Sequence, residues 1–372
     1  MGILAKPSVS ESDSRHSMML IGPIAPPNWG PAVKNRILLD ALSDYGVNVI
    51  ACNTLGWKRR ALPFAWKAIS QTVRTRRVVL SVSRGGRWVL LPLLCILGIV
   101  PPMKIVLLPT GGLFAQEVTS LPPVLRGFYR WCLSRCTLVC PETQRLAEDL
   151  RKLGLGNVIA LPNFKPNHEL GGNGKPAQDL LRIVYVSRVR AEKGIEVLLA
   201  ALDTIHDIAF RLDIYGILRD DYKDAFEEQL SHRCYARYCG VLESKDLLEH
   251  LSDYDMMVFP TLCESEGFPG VLADAALAGL PVIASDIAAN AEIVRDGFNG
   301  LLAKPGDIPD WAAKLRLLMS DDRLRTTLAA NNRALSENYT VDTVIRDTLL
   351  GELDRRGFWT RGDSRKARGS IV

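Results

Sequence analysis

Two groups of residues could do chemistry together. The first is Arg188 with Lys193, five positions apart and just downstream of the apolar run "RIVYVS" (182–187). Gly194 follows, and then "IEVLLAALDTI", whose apolar spacing predicts a helix. Two cations beside a helix N-terminus, where backbone N–H groups and the dipole point outward, make a site for a diphosphate. The same charges also suit an ordinary solvated loop. The second group lies in "CESEGFPGVLADAALAGLPVIASD", after the apolar run "MMVFPT". Glu266 closes a strand-to-helix loop, Gly267 and Gly270 admit close approach of backbone to a ligand, and Asp274 follows Glu266 by eight residues. With a helix starting near Pro269, Asp274 falls on its second turn. Two carboxylates so spaced can accept hydrogen bonds from hydroxyls on either side of a diphosphate. Acidic residues near a helix start also serve as plain dipole complements.

Other candidate chemistry is weaker. Cys132, Cys136 and Cys140 have near-metal spacing, but no histidine lies close and the run "WCLSRCTLVC" reads as a helix entering a strand. Asp253 and Asp255 form an Asp-x-Asp string ahead of a buried strand, which reads as a loop. No strand–helix junction carries G-x-G-x-x-G with a downstream acid, which argues against a nicotinamide-dependent dehydrogenase. The eight cysteines are scattered through apolar segments, as in a chain kept in a reducing cytoplasm.

The elements that must hold these residues are alternating short apolar strands and amphipathic helices, the pattern of doubly wound parallel sheets. With 372 residues, 47% hydrophobic and 23% charged, the chain has material for two such domains. The first runs over 18–170, through "MMLIGPI", "VNVIAC", "VVLSVS", "KIVLLP", "TLVCPE" and "NVIALPN". A Gly-rich linker is expected at 171–180 and the second domain at 181–340, with strands at "RIVYVS", "AFRLDIYG", "ARYCG", "MMVFPT", "PVIAS" and "NGLLA". A last helix at 341–358 could return to the first domain, and a disordered basic tail follows at 359–372. Residues 1–17 are polar and Ser-rich without the apolar core of a secretory signal, so they read as a flexible leader, and "MGILAK" lacks the hydroxyl residue myristoylation favours.

Between Asp44 and Glu117 there is no acidic residue, yet Lys58, Arg59, Arg60, Lys67, Arg74, Arg76, Arg77, Arg84, Arg87 and Lys104 fall there, interleaved with Trp57, Phe64, Trp66 and Trp88. This Trp57–Lys104 stretch suits docking on an anionic membrane surface. A plain solvated face is the alternative, whereas nucleic acid is disfavoured because no recognisable module presents stacking aromatics. The apolar run "WVLLPLLCILGIVPPMKIVLLP" is expected not to span a membrane, because Pro92, Pro101, Pro102 and Lys104 divide it. Peripheral attachment on the cytoplasmic face is the corresponding expectation.

Taken together, "VSRVRAEKGIEVLLAAL", "VFPTLCESEGFPGVLADAALAGLPVIASD" and "AEIVRDGFNGLLAKPGD" are similar, in order and separation, to the retaining glycosyltransferases of family 4 (glycosyltransferase group 1). The resemblance is close over 182–339 and looser through "GPIAPPNWGPAV", "LPTGGLF" and "ALPNF". It implies the GT-B architecture, two Rossmann-like doubly wound domains facing a central cleft. Arg188 and Lys193 would bind the donor diphosphate, and Glu266 would contact hydroxyls of the transferred sugar. The backbone of Gly267, Phe268, Pro269, Gly270 and Val271 would support sugar and phosphate, and Asp274 would hold the ribose. No metal and no cofactor beyond a UDP- or GDP-linked sugar is implied.

Two departures stand out. Asp274 is one methylene shorter than the glutamate usual in the family. Thr110, with Gly111 and Gly112, stands where many relatives have a histidine, and it can orient ligands but not act as a base near neutral pH. The expected activity is retaining transfer of a hexose-type residue to a glycan or lipid-linked glycan in cell-surface polysaccharide or glycolipid assembly. The alternative is a catalytically degenerate glycan- or nucleotide-sugar-binding subunit of a polysaccharide assembly complex.

Overall fold

The computed structural model describes residues 17–26, 30–55, 70–100, 102–167, 180–243 and 246–359. The expected leader up to residue 16, the linker up to residue 179, the tail from residue 360 and the Trp57–Trp66 part of the basic stretch lie outside the described residues. The chain divides into two compact units, residues 1–161 with 344–372, and residues 162–343.

In the first unit the elements run β1 (Met18–Gly22), α1 (Gly30–Asp44), β2 (Val49–Asn53), β3 (Arg77–Leu80), α2 (Arg84–Leu97), β4 (Lys104–Leu107), α3 (Phe114–Thr119), α4 (Pro123–Arg135), β5 (Leu138–Val139) and α5 (Gln144–Lys152). The five strands are parallel, in the order β2-β1-β3-β4-β5. β1 and β3 are buried throughout, as near-continuous apolar runs must be when helices cover both sheet faces. "NVIALPN" runs beside β5 without forming a regular strand: it makes the bridge Val158 to Val139, with Ile159 N–H donating to the Val139 carbonyl and Leu161 N–H to the Pro141 carbonyl. The long apolar run divides at Gly98 and not at Pro92. α2 continues through that proline, which removes the one hydrogen bond its N–H would have made to the Trp88 carbonyl. No described helix is long and apolar enough to cross a membrane.

The second unit contains β6 (Leu181–Val186), α6 (Ile195–Leu202), β7 (Phe210–Tyr215), α7 (Lys223–Ser231), β8 (Ala236–Tyr238), α8 (Leu247–Ser252), β9 (Met256–Phe259), α9 (Gly270–Ala278), β10 (Val282–Ser285), β11 (Gly300–Ala303), α10 (Ile308–Ser320) and α11 (Asp322–Leu335). Its six parallel strands are ordered β11-β10-β9-β6-β7-β8. The period of two along β6 separates the cores: Ile183 and Tyr185 pack with α6 and Trp311 of α10 on one face, while Val184 packs with Met257, Phe259 and Leu272 on the other. β6, first in sequence, sits centrally. The chain builds outward to one side and then returns to build on the other, so strand order reverses between β6 and β9. That reversal opens a crevice beyond the carboxyl ends of these two strands, where ligands of open parallel sheets bind.

After the second sheet, a π-helix (Asp342–Leu350) leads into α12 (Gly351–Arg355). This segment belongs with the first sheet: Arg77 Nε donates to the Phe358 carbonyl at 2.9 Å, and Lys104 donates to the Gly357 and Phe358 carbonyls.

Candidate functional site

The residues read from the sequence as a diphosphate site stand at the reversal point of the second sheet. β6 ends at Val186, and the chain passes through Arg188, which is exposed, to a short turn over Ala191–Lys193. Gly194 then caps α6 with φ +71, and a Cβ there would lie 1.8 Å from the Pro260 carbonyl oxygen. Only glycine satisfies both the backbone conformation and the space, so the start of α6 is pressed against the end of β9. Leu262 N–H donates to the Glu192 carbonyl at 2.9 Å and ties the two loops together. The result joins residues 73 positions apart: Lys193 Nζ donates to Glu266 Oε1, and Thr261 Oγ1 lies 3.4 Å from the same oxygen.

Lys193 is 5% exposed. Burial holds its ammonium below the ordinary lysine range, and the neighbouring charges of Arg188 and Arg190 push the same way. The first-turn amides of α6 have no acceptors within the helix. The edge therefore combines one exposed cation, one buried cation tethered to a carboxylate, and a helix N-terminus. This set can receive an anion, with Lys193 turning from Glu266 to the incoming charge.

α9 begins at Gly270, with Pro269 before it, and Asp274 is buried on its second turn. Lys165 Nζ donates to Asp274 Oδ2 at 2.6 Å, and Asn163 Nδ2 donates to the Phe268 carbonyl at 2.8 Å. Lys165 is itself held by backbone bonds to Tyr339 and Val341, and the Tyr339 ring meets Phe268 edge-on at 5.5 Å. Phe268 and Pro269 are buried, while Gly267 and Val271 are half-buried. Gly270 does not adopt a left-handed conformation, and a Cβ there would meet only Asn163 and Lys165 side chains at ordinary contact, 3.5 and 3.6 Å. Its small size is therefore not a requirement of the fold.

Thr110, Gly111 and Gly112 follow β4 at the corresponding edge of the first sheet. Arg87 dominates there. Its guanidinium donates to the Thr110 carbonyl at 3.1 Å and to Glu117 Oε2 at 2.8 Å, and it stacks over the Phe114 ring 4.0 Å from the centroid. Gly111 has φ +92 with nothing near its missing Cβ.

Sequence reasoning missed three of these residues. Lys165 and Asn163 lie in the "ALPNFK" segment, more than a hundred positions from their partners, and carry no local signal beyond a cation after an apolar run. Arg87 falls in the basic stretch expected at the surface, although Leu91 and Leu94 follow at helical spacing on its own buried face, a legible signal. Asp255 is at the opposite edge of the second sheet, where its carboxylate accepts from Arg182 N–H at 2.8 Å.

Comparisons with known proteins point to a family and a fold. Residues 181–321 match the family described as Glycosyl transferases group 1. The sulfoquinovosyl transferase SQD2 of Arabidopsis thaliana is 31% identical over 172 residues, which cover 45% of this chain and 32% of that protein. The Campylobacter jejuni N,N'-diacetylbacillosaminyl-diphospho-undecaprenol alpha-1,3-N-acetylgalactosaminyltransferase is 26% identical over 173 residues, covering 46% of this chain and 44% of that one. The chain thus spans only part, 32 to 56%, of the first curated relatives it matches. In three dimensions, the crystal structure of Anabaena HepE with UDP and glucose aligns over 90% of this chain and all of that one, with a TM-score of 0.68 at 16% identity. Residues 181–321 are therefore a glycosyl transferases group 1 domain, carried in a protein of two parallel-sheet Rossmann-like units that match GT-B glycosyltransferase structures.

Proposed function

We propose that the chain is a retaining glycosyltransferase that moves a hexose-type residue from a UDP- or GDP-linked sugar to a glycan or lipid-linked glycan in cell-surface polysaccharide or glycolipid assembly. The observation that carries this reading is the Lys193–Glu266 pair beside Arg188 at the reversal point of the second sheet. Breaking an anomeric bond to a diphosphate builds negative charge on the leaving group, and stabilising that charge is the main catalytic task. Arg188, Lys193 and the α6 amides supply it without a metal ion. As the diphosphate draws Lys193 away, Glu266 is released to accept hydrogen bonds from hydroxyls of the transferred sugar, with Gly267 to Val271 as backbone support. Asp274 takes the ribose, its carboxylate oriented by Lys165. Thr110 orients ligand and does not act as base.

The UDP and glucose held by HepE and the diphospho-undecaprenol in the name of the Campylobacter enzyme support a nucleotide-sugar donor and a lipid-linked acceptor. The enzyme is read as working at the cytoplasmic face of an anionic membrane. The test is transfer of radiolabelled sugar into a lipid extract, with binding of UDP and GDP followed by thermal shift. An Arg188→Ala, Lys193→Ala protein that still binds and transfers would overturn the site.

A second reading is favoured by the Lys165–Asp274 pair, which already engages one oxygen of the carboxylate assigned to ribose. On that reading the protein is a sugar-nucleotide-binding subunit of an assembly complex without turnover. Nucleotide binding with no transfer across a broad donor and acceptor panel would select it.

A further inference from the structure

Lys165 is fixed at its root and directed at its tip. Its N–H donates to the Tyr339 carbonyl at 2.8 Å, its carbonyl accepts from Val341 N–H at 2.9 Å, and it pairs with Thr340 as a parallel bridge. From there the side chain runs to the start of α9, where Nζ donates to Asp274 Oδ2 at 2.6 Å. A Cβ built on Gly270, the first residue of α9, would lie 3.6 Å from that same Nζ and 3.9 Å from Cε. The ammonium therefore stands beside the helix start as well as beside the carboxylate.

The polar groups nearest Gly270 are donors. Asn163 Nδ2 would lie 3.5 Å from the same Cβ, the amides of the first turn have no acceptor within the helix, and that turn holds no acidic residue. Such a surface suits a group that brings several acceptor oxygens and a negative charge. The fold does not itself need glycine there, because Gly270 is not left-handed and its neighbours stand at ordinary contact distance. Its lack of a side chain keeps the helix amides and the Lys165 ammonium within reach of one ligand.

Neutralising Asp274 accounts for the ion pair but not for this placement. A lysine that only offset a buried charge would be covered along with it, whereas the Lys165 side chain is 19% exposed against 9% for Asp274. The arrangement also repeats that of Lys193 and Glu266, so both carboxylates assigned to hydroxyls hold a lysine in the free protein. An ammonium offers three donors and a phosphate only acceptors, while sugar hydroxyls can donate to carboxylates. A nucleoside diphosphate thus satisfies both pairs by exchanging partners.

We infer that Lys165 is a third cation for the donor diphosphate: it turns from Asp274 to a phosphate lying on Gly270, and so hands the carboxylate to the ribose. The inference rests on the donor-site part of the reading above, and gives Lys165 a contact with the nucleotide beyond orienting Asp274.

The test compares UDP with uridine, or GDP with guanosine, on the full chain, taking the pair whose diphosphate the wild type binds more tightly. The diphosphate is titrated by calorimetry and the nucleoside is measured by its displacement of the diphosphate. Lys165→Met should weaken the diphosphate about threefold to tenfold and leave the nucleoside unchanged or tighter, because without a phosphate the lysine only competes with ribose for Asp274. A lysine that merely orients Asp274 would weaken both by the same factor, and that result overturns the inference. Since Lys165→Met strands a buried carboxylate, the substitution is repeated in Asp274→Asn. There it should still weaken the diphosphate by about the same factor, whereas an orienting role leaves nothing further to lose, so equal affinity of the single and double variants also overturns the inference. A wild type that binds neither UDP nor GDP overturns the donor site and the role of Lys165 together. A wild type that binds, with Lys165→Met indistinguishable from it, overturns the role of Lys165 alone.

Discussion

The carboxyl edges of the two sheets offer the same raw material, a cation near a carboxylate after a parallel strand, and use it in opposite ways. At the first, Arg87 is 1% exposed and held by the Thr110 carbonyl, Glu117 and the Phe114 face, and burial lowers its pKa from the ordinary arginine range. At the second, Lys193 has a single carboxylate partner, and Arg188 stands exposed beside it. A buried cation held at once by a carbonyl, a carboxylate and a ring face is a structural strut. A buried cation on one partner beside an exposed one is poised to exchange that partner for a ligand.

The strongest way to break this contrast is at the glycines that shape the edges. Gly194→Ala sets a Cβ against the Pro260 carbonyl in a left-handed conformation, and should cost about 3 kcal/mol or more, read as lost hydrogen-exchange protection over β6 and β9. Gly111→Ala faces open space and should cost only about 1 kcal/mol in the same measurement on β4. Equal costs would mean that the edges are not differently packed.

Next in size, Arg87→Ala leaves Glu117 with the exposed Arg84 alone and frees the Thr110 carbonyl. It should destabilise the first unit by about 3 kcal/mol in urea, while UDP or GDP affinity by calorimetry stays at the wild-type value. Lys193→Met should do the reverse, weakening nucleoside diphosphate binding about tenfold to a hundredfold with a smaller change in unfolding. If Arg87→Ala abolished nucleotide binding, the division of labour would be wrong.

A smaller effect is expected at Lys165→Met, which leaves Asp274 without its lysine: a loss of about threefold to tenfold in nucleotide affinity, partly restored by Lys165→Arg. An unchanged affinity would detach Asp274 from the ribose. The finest test is pH. Because Lys193 is lowered from the lysine range, diphosphate affinity should begin to fall at a lower pH than for an exposed lysine, as the charged form is lost on the alkaline side. Lys193→Arg should remove that decline, since arginine stays charged, and a wild-type profile flat into the alkaline range would sink the assignment.

Much of this was legible in the chain before folding was considered. The strands of both sheets appear as apolar runs separated by helical periods, and Lys193, Gly194 and Glu266 fall at strand-to-helix junctions where a parallel sheet presents its ligands. The ends of patterns are less legible: "NVIALPN" has strand composition and bonds to 139–141, yet completes only a bridge, and Pro92 reads as a break, although α2 continues through it.

By itself, then, the sequence determined the alternation of elements, the presence of two sheets and the junctions that hold the charged residues, because periodicity and capping act over a few neighbouring positions. Only the tertiary structure decided which cations were spent. Arg77 and Lys104 meet carbonyls some 250 to 280 positions away, and Lys165 meets Asp274 across 109. It also decided that Val89, Leu93 and Ile96, on the outer side of α2, face solvent. A local pattern states that a helix has two faces, but which face is covered depends on what the rest of the chain brings against it.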